Sequence, residues 1–188
     1  MNRSFYKNST KTAIGGIIAA LSIVLMLLTS AIPTLTYAIP AIAGLLLVVI
    51  VIEVNKKWAF GVYFVVGVLS MLLVADKEAA VMYAAFFGYY PIIKQTLEKN
   101  LKPLLEWIVK FLIFNVSVIL SYLMMIYVFS LDFDDFGDYT KIALIGVYVG
   151  LNIVFLLYDI ALTRLITAYL TSWQKYFRKV ERRFCAGS

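Results

Sequence analysis

The sequence predicts an all-α integral membrane protein, a six-transmembrane-helix bundle with N- and C-termini cytoplasmic. Three observations predict it. The 188-residue chain is 63% hydrophobic and only 15% charged, with a mean hydropathy of +0.90, and a soluble domain of this length could not hide that much apolar surface. The apolar residues gather into six segments near the length that crosses a bilayer, about 20 residues. The basic residues alternate between connectors, as the positive-inside rule requires of a multi-pass chain.

The first segment runs from Thr12 to Ile32 and stops at Pro33. It exceeds the roughly 7–15 residues of a signal-peptide core, so it reads as a retained helix. Its opening, TAIGGIIAALS, holds two overlapping small-x-x-x-small pairs, Gly15 with Ala19 and Gly16 with Ala20. Such a stripe lets a second backbone come close, either inside the same bundle or on another membrane subunit. The connector that follows, SAIPTLTYAIPAIAG, carries Pro33, Pro40, Thr34, Thr36 and Tyr37 and no charge. It suits a semi-rigid external lid folded over the bundle, or a tight connector dipping into the headgroups.

The second segment spans about Ile39 to Glu53, the third Trp58 to Val74 and the fourth Ala79 to Ile93. The second and fourth are short for a bilayer, which leaves a re-entrant segment as the alternative to one of them. The fourth contains MYAAFFGYYPIIK. Tyr89 and Tyr90 suit an interfacial belt. Tyr83 and Phe87 lie one turn apart and suit the wall of a pocket for a small, flat ligand.

The fifth segment runs Pro103 to Phe129 and the sixth Lys141 to Leu162. Charges within a bilayer are expensive, so Glu106, Lys110 and Asp159 stand out. At 1.5 Å per residue Lys110 lies about 10 Å, and Asp159 about 8 Å, from the inner end of its helix. That predicts a Lys110–Asp159 contact shared with Glu106, as a structural ion pair or a switch coupling the last two helices to a partner. Asn115 and Asn152, near mid-segment, are candidates for interhelical hydrogen bonds or ligand contacts.

Between these segments, LDFDDFGDY (131–139) lacks the spacing of a calcium loop. It reads as a solvated external loop or the edge of a pocket. The chain divides into a six-helix transmembrane domain, 1–165, and a tail, 166–188. The tail ITAYLTSWQKYFRKVERRF sets Ile166, Tyr169, Trp173 and Phe177 on one helical face and basic residues on the rest. This is a basic amphipathic helix for the inner leaflet.

The topology rests on charge. Arg3, Lys7 and Lys11, then Lys56 and Lys57, then Lys94, Lys99 and Lys102, then Arg164 and the tail all fall at one end. The alternate connectors hold only Lys77 and Lys141. The net charge of +6 thus reflects membrane orientation, and no nucleic-acid partner is expected. There is no histidine, and Cys185 is the lone cysteine, which removes the usual metal ligands and general bases. No nucleotide-binding loop or nucleophile elbow is present. The expectation is a non-enzyme without cofactor or metal in a bacterial plasma membrane, with lipid and other membrane subunits as partners.

On Gly15, Gly16, Ala19 and Ala20, together with its length and layout, the chain resembles the substrate-binding S-component family of energy-coupling factor transporters. Glycine stands here where that family has the first alanine of each pair. The resemblance implies docking through helix one on a transmembrane coupling subunit driven by ATPase subunits. It also implies that the loop Pro33 to Pro40 caps a vitamin-sized ligand near the external face. The competing class is a non-catalytic cell-envelope scaffold, similar in size to the rod-shape protein MreD.

Overall fold

The computed structural model describes residues 8–129 and 141–173, all of them in helices or the turns between helices, with no strand among the described residues. The chain forms two compact units, Met1–Phe136 and Gly137–Ser188. The first contains α1 (Asn8–Leu28), a 3-10 turn (Pro33–Leu35), α2 (Ala38–Glu53), α3 (Lys56–Leu73) and α4 (Lys77–Met82). It continues through a π-helical turn (Tyr83–Phe87), α5 (Tyr90–Asn100) and α6 (Pro103–Tyr127). The second contains α7 (Lys141–Ala168) and a second π-helical turn (Tyr169–Trp173).

Among the described residues, four helical stretches are long and apolar enough to cross a membrane: Asn8–Leu28, Lys56–Leu73, Pro103–Tyr127 and Tyr148–Thr171. Helix α2 is equally apolar but has 16 residues, about 24 Å of rise. The fourth apolar segment is interrupted by the π-helical turn between α4 and α5.

The packing is compatible with a membrane-spanning protein. Large apolar side chains stand exposed on the helices, among them Ile17 69%, Phe64 69%, Leu72 72% and Leu104 76%. Two lysines, Lys94 and Lys110, are buried. Water would drive the reverse arrangement.

Helix α2, the shortest of the apolar helices, is the central one of the first unit. It packs on α1, α3, α4, the π-helical turn and α5. Its Ile39, Ala43, Leu47, Val48, Ile50 and Val51 are all buried, covering more than one face. A helix apolar all round finds its place in a core.

Local chemistry sets the boundaries. After α1 the backbone turns over Thr29–Ile32, and Thr29 Oγ1 donates to the Met26 carbonyl at 2.8 Å. Pro40, expected in the connector, stands instead in the first turn of α2, where a missing N–H costs nothing. Asn55 caps α3 by accepting from the Lys57 amide, and Asp76 caps α4 by accepting from the Ala79 amide at 3.0 Å. Pro91 and Pro103 sit in the first turns of α5 and α6.

Two sets of hydrogen bonds bring alternate turns of the first unit to common ends. At one end the chain between α1 and α2 meets the chain between α3 and α4, with Thr36 Oγ1 donating to Asp76 Oδ2 at 2.8 Å. At the other, Lys56 at the α2–α3 turn donates to Thr96 Oγ1 of α5 at 2.6 Å. The cluster 131–139 and the tail from 174 onward lie outside the described residues.

Candidate functional site

Four places in the structure hold the residues that the sequence singles out. The first is the α1–α2 turn. Thr36 donates to Asp76, and the Tyr37 hydroxyl donates to Glu78. Both acceptors belong to the turn into α4, so the α1–α2 turn is tied down by two hydroxyl–carboxylate bonds. Pro33 opens the 3-10 turn, and Thr34, next to it, is exposed. Partial burial raises the Tyr37 pKa above its ordinary value of 10, and Glu78 and Asp76 push it further in the same direction. The connector, described from its prolines and hydroxyls alone in the sequence, is held by acidic groups some 40 residues away.

The second place surrounds the π-helical turn. Gly88 N–H reaches back five residues to the Tyr83 carbonyl at 2.8 Å, a helical register shift of the kind found at local bulges. The Ala84 carbonyl, which Gly88 would bond in a regular helix, accepts from the Tyr63 hydroxyl at 2.6 Å. Tyr63 lies so close to Gly88 that a Cβ there would stand 2.5 Å from its ring. Gly88 is therefore required by this close approach.

Around the turn, Tyr83 is fully buried and Phe87 nearly so. Tyr83 lies 6.2 Å from the Tyr63 ring and Phe87 5.4 Å from Phe86, centroid to centroid. Phe86 stacks on Tyr90 at 4.7 Å and meets Phe114 edge-on at 5.3 Å. Tyr90, read from sequence as an interfacial residue, is wholly buried here. Tyr90 opens α5 after the bulge, with Pro91 in its first turn. Tyr89 bonds Ser117 Oγ on α6 at 2.6 Å.

The third place is a buried charge network between α5 and α6. Lys110 Nζ lies 2.7 Å from Glu106 Oε1 and 3.0 Å from Glu98 Oε1. Lys94 Nζ lies 2.8 Å from the same Glu98 oxygen. Lys110 also stands 5.2 Å from the Trp107 ring centroid. Two ammonium groups and two carboxylates alternate, so each buried lysine has a compensating charge. The structure brings Glu106 and Lys110 together. Lys94 and Glu98 escaped the sequence reading, although their four-residue spacing on a helix was a signal for a pair.

Asp159 belongs to the second unit, where it is buried on one stripe of α7 with Phe155 and Leu162. The expected Lys110–Asp159 contact would join the two units and is a feature of neither alone. Asn115 Nδ2 donates to the Phe111 carbonyl at 2.8 Å and Asn152 Nδ2 to the Tyr148 carbonyl at 2.9 Å. Each amide thus serves its own helix one turn back, and Asn152 stands in the second unit.

The fourth place is α1, where the two overlapping small pairs part company. Gly15 is buried, and a Cβ on it would come within 3.3 Å of Val62 Cγ2 on α3. Ala19 is half-buried. Gly16 and Ala20 are exposed, and a Cβ on Gly16 would meet nothing within 4 Å. Among the described residues no group of three or more potential metal ligands is present.

Comparison with protein-family models, with curated proteins and with solved structures finds no match to this chain.

Proposed function

We propose that this chain is the membrane-embedded substrate-binding subunit of an energy-coupling-factor type transporter. It crosses a bacterial plasma membrane six times, with both termini in the cytoplasm. It captures a small, vitamin-like molecule at the external face and docks on a transmembrane coupling subunit through α1. It performs no chemistry, and the ATPase subunits of the assembly supply the energy.

The observation that carries this reading is the split of the small residues on α1. Gly15 faces Val62 within the chain's own fold, whereas Gly16 meets open space and Ala20 is exposed. Lipid chains fit bulky side chains as readily as small ones. An outward strip of glycine and alanine favours the close approach of another helix. The layout of the first unit supports the six-helix topology. The α1–α2 and α3–α4 turns share one end through Thr36 and Asp76, and Lys56 reaches Thr96 at the other. The latched α1–α2 turn fits a cap over the external end, above Tyr83 and Phe87.

Native mass spectrometry of protein purified in mild detergent tests the reading. The expected masses are a coupling subunit, an ATPase pair and a bound small molecule. Gly16→Leu combined with Ala20→Leu should abolish the partner masses while leaving thermal stability unchanged, because nothing in the fold occupies that space. Partner capture that survives the double variant removes α1 as the docking helix. Recovery of cell-wall synthesis enzymes in place of ATPase subunits makes the chain an envelope scaffold. Labelling that finds Asp135 on the cytoplasmic side overturns the topology.

A further inference from the structure

Hydroxyl groups inside these helices have a simple way to avoid remaining unpaired: they donate to the carbonyl one turn back. Ser117 does so to Ile113, Ser121 to Ser117 and Thr163 to Asp159, at 2.7–3.0 Å. Ser22 on α1 and Ser70 on α3 do not. Both are fully buried, and neither hydroxyl has a hydrogen-bond partner in the protein. The Tyr83 hydroxyl is in the same condition. An unpaired hydroxyl in an apolar interior is costly. Three in one compact unit call for a common explanation.

Helix register places them together. The α1–α2 and α2–α3 reversals make α1 and α3 parallel, and Gly15 stands against Val62. Ser22 lies seven residues beyond Gly15 and Ser70 eight beyond Val62. At 1.5 Å per residue the rises are about 10.5 and 12 Å, which puts the two serines at one level. Across α3, the Cβ position of Gly67 lies 3.9 Å from that of Ala84. Tyr83, the neighbour of Ala84, therefore branches from the backbone about one turn from the level of Ser70.

We propose that Ser22, Ser70 and Tyr83 hold an internal water molecule between α1, α3 and the π-helical turn. A water donates twice and accepts twice, each hydroxyl can do either, and about three partners are usual for a buried water. All three groups are neutral, so nothing among them balances an ion. An apolar occupant would leave all three hydroxyls unpaired. This inference needs neither the ligand nor the partner of the transport reading, although Tyr83 also lies beneath the proposed cap.

Thermal unfolding of the full chain in mild detergent tests it by sign. If the water is present, Tyr83→Phe, Ser22→Ala and Ser70→Ala each strand one of its bonds. Each should lower Tm, by about 2–8 °C for a chain of this size. Ser22→Ala should cost less in the Tyr83→Phe background, because the shared water is already weakened. If the hydroxyls are unpaired, removing one relieves its desolvation, so an unchanged or raised Tm for Tyr83→Phe overturns the proposal. Radiolytic hydroxyl-radical labelling of the unmodified protein needs no variant, because the radical forms from bound water in place. Tyr83 should be labelled well above Tyr90, which is buried to the same degree. Equal labelling of the two tyrosines also overturns the proposal.

Discussion

The two ends of the first unit are held by different chemistry. At the α1–α2 end, two neutral hydroxyls meet two carboxylates, Thr36 with Asp76 and Tyr37 with Glu78. Tyr37 there is exposed, so water can replace those bonds at little cost. At the α5–α6 end, Lys94 and Lys110 are buried among Glu98 and Glu106. Losing a carboxylate there strands a buried ammonium away from water. One end is therefore a latch that can release and the other a fixed joint.

The strongest way to break the comparison is Lys110→Met. It leaves Glu106 without its cation and Glu98 with Lys94 alone, and should cost about 1–3 kcal/mol, read as a fall in Tm. Adding Glu106→Leu should return much of that loss, because an apolar pair of similar volume suits the same interior. A Lys110→Met variant as stable as the parent would remove the fixed joint.

Gly88→Ala probes the middle of the unit, between the two ends. Its Cβ would strike the Tyr63 ring at 2.5 Å, and overpacking of this kind costs about 1–3 kcal/mol. The penalty should shrink when Tyr63 is also truncated to Ala, as measured by a double-mutant cycle.

At the latch the effects are smaller. Asp76→Ala removes both the α4 cap and the Thr36 acceptor and should cost about 0.5–2 kcal/mol. Thr36→Val should cost less, because it leaves the cap intact. Hydrogen exchange in residues 33–37 should rise in both variants while the α5–α6 end stays protected.

The smallest effect is a pH dependence. Folding raises the Tyr37 pKa above its ordinary value of 10, so the folded state holds that proton more tightly. The latch is accordingly at full strength below pH 10 and weakens as pH rises through that value and beyond. The Tm of the parent should fall more steeply than that of Tyr37→Phe in this alkaline range. Parallel curves would remove the Tyr37–Glu78 bond from the latch.

Much of the helical layout was legible in the chain. Pro103 opens α6, where its missing donor costs nothing, whereas α1 stops at Leu28, with the turn Thr29–Ile32 between it and Pro33. The shortness of segment two was legible, and α2 is the short central helix. The candidate site was less legible. The overlapping glycine–alanine pairs announced a close approach, but not that Gly15 faces α3 while Gly16 faces outward. The aromatic run of the fourth segment announced ring contacts, but not the register shift that buries Tyr90 and hands the Ala84 carbonyl to Tyr63. Lys94 read as a basic residue at a cytoplasmic boundary, yet it is buried beside Glu98.

By itself the sequence determined that this chain is helical, apolar and punctuated, because segment length, proline position and charge spacing act within a few residues. Only the tertiary structure decided which face of each helix meets protein. In water, hydrophobicity separates inside from outside; in a bilayer both sides of a helix are apolar, so the choice falls to shape and to a few polar groups. The partners of those groups, such as Thr36 with Asp76 and Lys110 with Glu98, stand on other helices or turns and exist as pairs only once the chain is folded.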